Sequence, residues 1–260
     1  MARVANVAAM LRSLAGGALF GEVWGEGPPR VVALHGWRRT HADFAGVLGP
    51  EAPGGAIAAV APDLPGFGAT PPPPEPWGSS EYAALVARLV EDGPVVVLGH
   101  SFGGRVAVSL ATARPELVRG LVLTGAPVAR RPGGRRRPPA AYRLVRTFRR
   151  LGLVSEQRLE RARQRYGSAD YRASEGVVRQ VLVRLLAEDY EPALAELRCP
   201  VELVWGDDDA EAPLAVAERV RRLVPAARLT VCPGAGHLTP LRAPAQLRAA
   251  VDRLLGVPDG

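Results

Sequence analysis

Lysine does not occur in this chain of 260 residues, cysteine occurs only twice, and there are only four histidines. Two cysteines, Cys199 and Cys232, exclude the disulfide framework that staples small secreted folds. Each lies in or beside an apolar run, so both read as small buried hydrophobes. No apolar run approaches the roughly 18 uninterrupted residues of a transmembrane helix, so no membrane span is expected. The opening residues are apolar, but Arg12 interrupts the run and only Arg3 precedes it. That order does not match a secretory signal. Strand-like residues begin only near Ala18, which makes Met10 an alternative start to Met1. These absences together lead to the expectation of a cytoplasmic protein.

Every basic side chain other than histidine is arginine, which we read as a bias in composition. Where the arginines fall is more telling. Between Arg130 and Arg184 there are 16 arginines against four acids, whereas the whole chain nets +7. The rest of the chain is therefore net acidic, and the positive charge belongs to one segment. Two readings of that segment differ in consequence. One is attraction of an anionic substrate, partner or membrane surface. The other, which we adopt, is a solvated helix face in a chain that uses arginine for every surface cation. Nucleic acid is not expected, because no recognisable binding motif accompanies the charge.

What is present is the composition of a globular protein. Hydrophobic residues make up 47% and charged residues 23%, so disorder is not the default despite 25 prolines. The length suits one domain with an insertion. Short β-branched runs bounded by Gly, Pro or Asp predict strands at Arg30–Leu34, Ile57–Ala61, Val95–Leu98, Gly120–Thr124, Val201–Trp205 and Arg228–Cys232. Continuous apolar runs of this kind suit strands buried on both faces. Segments of helical period lie between them, at Ser80–Asp92, Gly103–Arg114, Leu214–Val224 and Pro244–Leu255. The alternation predicts an α/β architecture with a mostly parallel central sheet flanked by helices.

Residues 127–195 break the alternation. Arg130–Pro139 is a linker by composition, rich in Pro, Gly and like charge. Three helical stretches follow, near Ala140–Leu151, Ser155–Tyr166 and Ser174–Asp189. The expected organisation is a core from 1–126 and 196–260, with a helical cap at 127–195. Within the cap, Tyr166, Asp170 and Arg172 read as a helix-junction cluster in preference to a substrate-orienting one.

The strongest local signal is Gly99-His100-Ser101-Phe102-Gly103, between the strand Val95–Leu98 and the helix Gly103–Arg114. A G-x-S-x-G pattern has meaning in that context. The chain must reverse from strand to helix within a few residues, so the serine takes a strained conformation. Glycines at 99 and 103 leave room for neighbouring backbone. The turn lifts the hydroxyl clear of the sheet, and N–H groups at the helix start face developing negative charge. The pattern makes Ser101 the candidate nucleophile.

Further motifs stand in a fixed order around this one. They are His35-Gly36-Trp37, Asp63-Leu64-Pro65-Gly66-Phe67-Gly68, Trp205-Gly206-Asp207-Asp208-Asp209 with Pro213, and Gly234-Ala235-Gly236-His237. On these residues the chain resembles the α/β-hydrolase superfamily, in particular its small capped serine hydrolases, over about Ala18 to Leu255. The resemblance implies the α/β-hydrolase fold with a helical cap. It also implies an oxyanion hole formed by the backbone N–H groups of Trp37 and Phe102. Three aspartates compete for the triad acid, Asp207, Asp208 and Asp209. The family spacing of Gly206 to Pro213 selects Asp209. Some relatives carry the acid after an earlier strand, but here that strand ends Leu123-Thr124-Gly125-Ala126. His237 is the implied base, and the order Ser, Asp, His agrees with the fold. His35 and His100 belong to the oxyanion loop and the elbow, and His41 reads as a loop or helix-start residue.

The expected activity is hydrolysis of a carboxylic ester or related small acyl substrate through an acyl-enzyme on Ser101. No metal and no organic cofactor is called for. Serine in place of aspartate at the elbow argues against the dehalogenase and epoxide-hydrolase branches. The same triad also serves carbon–carbon bond hydrolysis, acyl transfer and perhydrolysis, which differ by pocket shape and water access. A reading of another class is a non-catalytic ligand-binding protein on this fold. No substrate-binding residue is legible beyond the triad and the oxyanion hole.

Overall fold

The computed structural model describes residues 11–90, 93–131 and 169–256, with positions 154, 155, 157, 158, 161 and 165 between them. The strands are β1 (Arg12–Leu14), β2 (Leu19–Trp24), β3 (Val31–Leu34), β4 (Ala59–Asp63), β5 (Val95–His100), β6 (Val118–Thr124), β7 (Val201–Gly206) and β8 (Arg228–Cys232). The helices are α1 (Ala45–Leu48), α2 (Ser79–Ala87), α3 (Phe102–Ala113), α4 (Ala169–Ala173), α5 (Gly176–Ala187), α6 (Glu191–Ala195), α7 (Leu214–Leu223), α8 (Thr239–Arg242) and α9 (Pro244–Leu255). The strands form one eight-stranded sheet in the order β1-β2-β4-β3-β5-β6-β7-β8. Pairing is parallel from β4 through β8, and antiparallel only at β1–β2 and β2–β4.

The six strands read from the sequence are the parallel core. Period-two alternation explains why the runs at the sheet centre, β3 and the first four residues of β5, are apolar throughout: each neighbouring residue faces the opposite layer, whereas β8 at the edge carries an exposed Arg228. Val32, Leu34, Val95 and Val97 join the cluster that packs on α2, α3 and α7. Val31, Ala33, Val96 and Leu98 join the cluster on the other face, with Val47 of α1 and Leu247 and Val251 of α9. Full burial of each such side chain stabilises by roughly 1.5–3 kcal/mol, so the sheet centre is a rigid platform for the loops at its carboxyl ends.

The antiparallel edge, β1 and β2, is additional to the strands expected. In β2 the apolar run is broken by Gly21 and Glu22, which hides it from a periodicity count. Both residues have a tertiary reason. A Cβ on Gly21 would lie 2.2 Å from the Ala61 carbonyl oxygen, and the buried Glu22 accepts a hydrogen bond from Trp24 Nε1–H at 2.8 Å.

Of the three helical stretches expected between β6 and β7, Ala140–Leu151 lies outside the described residues and most of Ser155–Tyr166 lies outside them too. The third matches α5. Its Val181 and Leu185 are buried in the same cluster as α3. Two polar ties hold it there. Arg105 of α3 donates from Nη1 to the Leu185 carbonyl at 2.6 Å. Glu188, just after α5, accepts from the Ser79 N–H at 3.1 Å and the Ser79 hydroxyl at 2.6 Å. Among the described residues no helix is long and apolar enough to cross a membrane. Cys199 and Cys232 are both free thiols, and burial pushes each up in pKa.

Candidate active site

The turn between β5 and α3 carries Ser101 at φ 49° and ψ −110°, a left-handed conformation for a residue with a side chain. Such strain persists only where the surroundings impose it. Here the cause is crowding between strand and helix. A Cβ at Gly99 would lie 2.6 Å from Gly104 Cα, and one at Gly103 would lie 2.0 Å from the Leu34 carbonyl oxygen. Neighbouring backbone donors are engaged: Ser101 N–H with Thr124 O at 2.9 Å, and Gly103 N–H with His35 O at 3.0 Å. Phe102 opens α3, where an N–H has no acceptor within its own helix.

The turn after β3 brings Trp37 against the elbow. Its ring packs edge-on against Phe102 at 5.4 Å and Phe67 at 4.8 Å between centroids, and Tyr82 braces Phe102 from α2 at 5.1 Å. His35 is buried and neutral. Its Nε2 accepts the Leu64 N–H at 2.8 Å, its Nδ1–H donates to Gly36 O, and burial lowers its pKa to about 4. His41, at the start of a short 3-10 turn, donates from Nδ1 to Asp63 Oδ1 at 2.8 Å. Asp63 also accepts the His41 and Ala69 N–H groups, both at 2.9 Å, and so clips the oxyanion-side loop to the Asp63–Gly68 turn. Burial opposes the charge on Asp63, but the His41 contact and these N–H groups hold its carboxyl below the usual range.

At the end of β7 the three aspartates divide the work. Asp209 is buried, with Oδ1 accepting the N–H groups of Glu211 and Ala212, both at 2.8 Å. Its Oδ2 accepts the His237 Nδ1–H at 2.8 Å. Asp207 accepts the Gly234 N–H at 2.9 Å and Asp208 accepts the Gly236 N–H at 2.7 Å. Two aspartates therefore hold the backbone of the histidine loop, and the third holds its ring. Burial works against charge on His237, but the Asp209 hydrogen bond and the charges of Asp209, Glu211 and Asp170 outweigh it and raise the pKa above the ordinary value. The Glu211 carboxylate lies 3.4 Å from His237 Nε2. Gly125, at φ 54°, makes room for this pair: a Cβ there would lie 3.0 Å from His237 Nδ1 and 3.2 Å from Asp209 Oδ2.

Of the five candidates, Trp37, Ser101, Phe102 and His237 line one cavity of about 200 Å³, and Asp209 stands behind His237. The remaining wall is largely apolar, with Pro127 and with Leu182, Leu185 and Leu186 from α5, but it also includes Asp170 and Glu211. A larger cavity of about 730 Å³ adjoins it and shares Arg105, Pro127, Leu186 and Glu211. Within the Tyr166–Arg172 stretch, Asp170 lines the cavity and Tyr171 is buried beneath the Arg179 guanidinium, while Tyr166 lies outside the described residues. Among the described residues no group of three or more His, Cys, Asp or Glu side chains is placed to hold a metal ion. The arrangement has the parts for acyl transfer: a hydroxyl, a carboxylate-oriented imidazole and backbone donors around one cavity.

Tyr82 carries no signal in the sequence as a site residue, and Phe67 stands out only as part of the Asp63–Gly68 motif. Gly125 has one faint signal, its place in the acid-free stretch Leu123-Thr124-Gly125-Ala126 that ends the earlier strand. Asp207 and Asp208 entered only as rivals to Asp209.

Residues 31–250 match the model of the alpha/beta hydrolase family. The pimeloyl-[acyl-carrier protein] methyl ester esterase of Aromatoleum aromaticum is 34% identical over 237 residues, covering 80% of this chain and 91% of that protein. Lipase LipV of Mycobacterium tuberculosis is 44% identical over 113 residues, which span only 40% of this chain and 39% of the lipase. Among solved structures, a thermophilic esterase from Thermogutta terrifontis superimposes with a TM-score of 0.69 at 25% identity, covering 95% of this chain and 98% of the esterase.

Proposed function

The chain belongs to the alpha/beta hydrolase family, and on that premise we propose that it is a carboxylic ester hydrolase working through an acyl-enzyme on Ser101. The observation that carries this reading is the 2.8 Å contact of His237 Nδ1 with the buried Asp209, beside the cavity that Ser101 lines. A carboxylate on Nδ1 fixes the tautomer that leaves Nε2 free to accept a proton. Serine is a weak nucleophile until such a base removes its proton.

In this scheme His237 Nε2 takes the Ser101 proton as Oγ attacks the ester carbonyl carbon. The carbonyl oxygen becomes an oxyanion held by the Trp37 and Phe102 N–H groups. The C–O bond to the alcohol breaks, and the alcohol leaves with the proton from His237. A water then gives a proton to His237 and attacks the acyl-enzyme, releasing the acid and restoring Ser101. Asp209 stabilises the imidazolium in both halves and is not itself protonated. Preorganised oxyanion donors of this kind are each worth roughly 3–4 kcal/mol of the barrier.

The substrate is an acyl ester of small or medium size, with its acyl part against the leucines of α5. The esterase name borne by the Aromatoleum aromaticum relative supports an acyl methyl ester in particular. Residues 127–195 serve as the cap, a role supported by Leu182, Leu185 and Leu186 in the cavity wall. The free thiols of Cys199 and Cys232 fit a cytoplasmic setting. The test is labelling with an alkyl fluorophosphonate followed by peptide mass analysis. The adduct is expected on Ser101, and an adduct elsewhere or none at all would count against the mechanism.

A further inference from the structure

His100 is the last residue of β5 and is buried to 1% exposure, yet the scheme above gives its side chain nothing to do. Its Nε2 lies 2.8 Å from the main-chain carbonyl oxygen of His237. A carbonyl only accepts, so Nε2 carries the proton and Nδ1 is a bare acceptor. That Nδ1 is buried and has no partner. A phenyl ring would fill the same space without a stranded acceptor, whose burial is unfavourable. The occurrence of histidine here therefore points to a use for its other nitrogen. On its second side the ring lies against the His-Gly-Trp turn, because a Cβ on Gly36 would come within 2.8 Å of Nδ1 and 3.0 Å of Cε1. On its third it faces the His237 ring, with 5.0 Å between centroids. Burial lowers its pKa to about 4, so the ring stays neutral and the donor stays in place across the ordinary working range.

One ring thus meets the nucleophile elbow, the oxyanion turn and the histidine loop. It precedes Ser101 in the chain, packs beside Trp37 through Gly36, and holds the carbonyl of His237. We propose that His100 is a positioning residue, whose hydrogen bond to the His237 carbonyl fixes the base relative to the nucleophile and the oxyanion turn. This rests on the reading of His237 as the base. Asp207 and Asp208 tether the same loop from β7, and His100 tethers it from β5, the strand that carries the nucleophile.

The test compares His100→Phe, His100→Gln and His100→Asn in the full chain, with folding followed by circular dichroism. The Gln amide nitrogen reaches the place of Nε2, and the Asn amide ends one methylene short. On a p-nitrophenyl ester, kcat is expected to fall about 10- to 100-fold in the Phe and Asn variants with KM nearly unchanged, as for a misplaced catalytic group. The Gln variant should recover most of that loss. A second readout needs no turnover: the low-field NMR proton shared by His237 Nδ1 and Asp209 should broaden in the Phe and Asn variants and persist with Gln. Wild-type kcat in His100→Phe, or a rise in KM alone, would overturn the proposal. If the Phe variant does not fold, equal kcat in Gln and Asn would do the same. A wild type that neither hydrolyses ester nor takes the Ser101 label sinks the esterase reading instead, and the low-field proton then decides the role of His100 by itself.

Discussion

Replacing Asp209 by asparagine tests the geometry of the base at one atom. The amide keeps an oxygen where Oδ1 accepts the Glu211 and Ala212 N–H groups, so the loop retains both 2.8 Å contacts. The change falls on the other atom. An NH₂ group now faces His237 Nδ1, and two donors cannot share that 2.8 Å contact. The ring answers by moving its proton to Nε2, leaving Nδ1 to accept from the amide. Nε2 is then a donor and cannot take the Ser101 proton. Loss of the correct tautomer in a triad costs about 10⁴-fold in kcat, or roughly 5.4 kcal/mol of transition-state stabilisation. The assay is steady-state hydrolysis of a p-nitrophenyl ester, with thermal unfolding run beside it. Little change in stability with a loss near that size is the expected result. A folded variant within ten-fold of wild type would refute the assignment of Asp209 as the partner of the base.

Glu211 gives a pH prediction whose sign is fixed. Its charge helps to raise the His237 pKa, and catalysis needs the neutral ring, so Glu211→Gln should move the acid limb of the kcat/KM profile to lower pH. The move should be small and should shrink in salt, because the Glu211 side chain is 69% exposed; an upward move would contradict the account. Gly125→Ala should combine a left-handed backbone cost of roughly 1–2 kcal/mol with displacement of the His237 ring, so both thermal stability and kcat should drop. A fully active Gly125→Ala would show that the pair does not need that space. Asp208→Ala removes the acceptor of the Gly236 N–H and should cost about 1 kcal/mol in unfolding experiments, with a far smaller loss of kcat than Asp209→Asn. Equal losses at the two positions would dissolve the distinction between ring and backbone holders.

The sequence revealed what local pattern dictates. The inner parallel strands announced themselves as short β-branched runs because both their faces are buried, whereas β8, read the same way, lies at the sheet edge with Arg228 and Val231 exposed. The elbow was legible because strand, glycines, serine and helix fall within a few residues. The antiparallel edge was not, since Gly21 and Glu22 interrupt β2 for reasons that lie in Ala61 and Trp24. The same holds around the site. Gly125 looks unremarkable beside Thr124 until Asp209 and His237 arrive from two later loops. The separate duties of Asp207 and Asp208 depend on backbone N–H groups more than 25 residues away. His41 reads as a loop or helix-start residue, and it does open a short 3-10 turn, but its ring also clips Asp63. Contacts between distant segments leave no periodicity to read. The arginine-rich stretch shows a related limit: Arg130 pairs with Asp189, and Arg184 with Glu81, so part of its charge is taken up by ties to distant segments that composition alone does not display.

The most direct measurement compares hydrolysis of p-nitrophenyl acetate and butyrate by the wild-type chain and by Ser101→Ala, with circular dichroism confirming matched folding. The account predicts clear turnover by the wild type and a fall of at least about 10⁴-fold in the alanine variant, as for loss of a triad nucleophile. Turnover that survives intact in Ser101→Ala would contradict it.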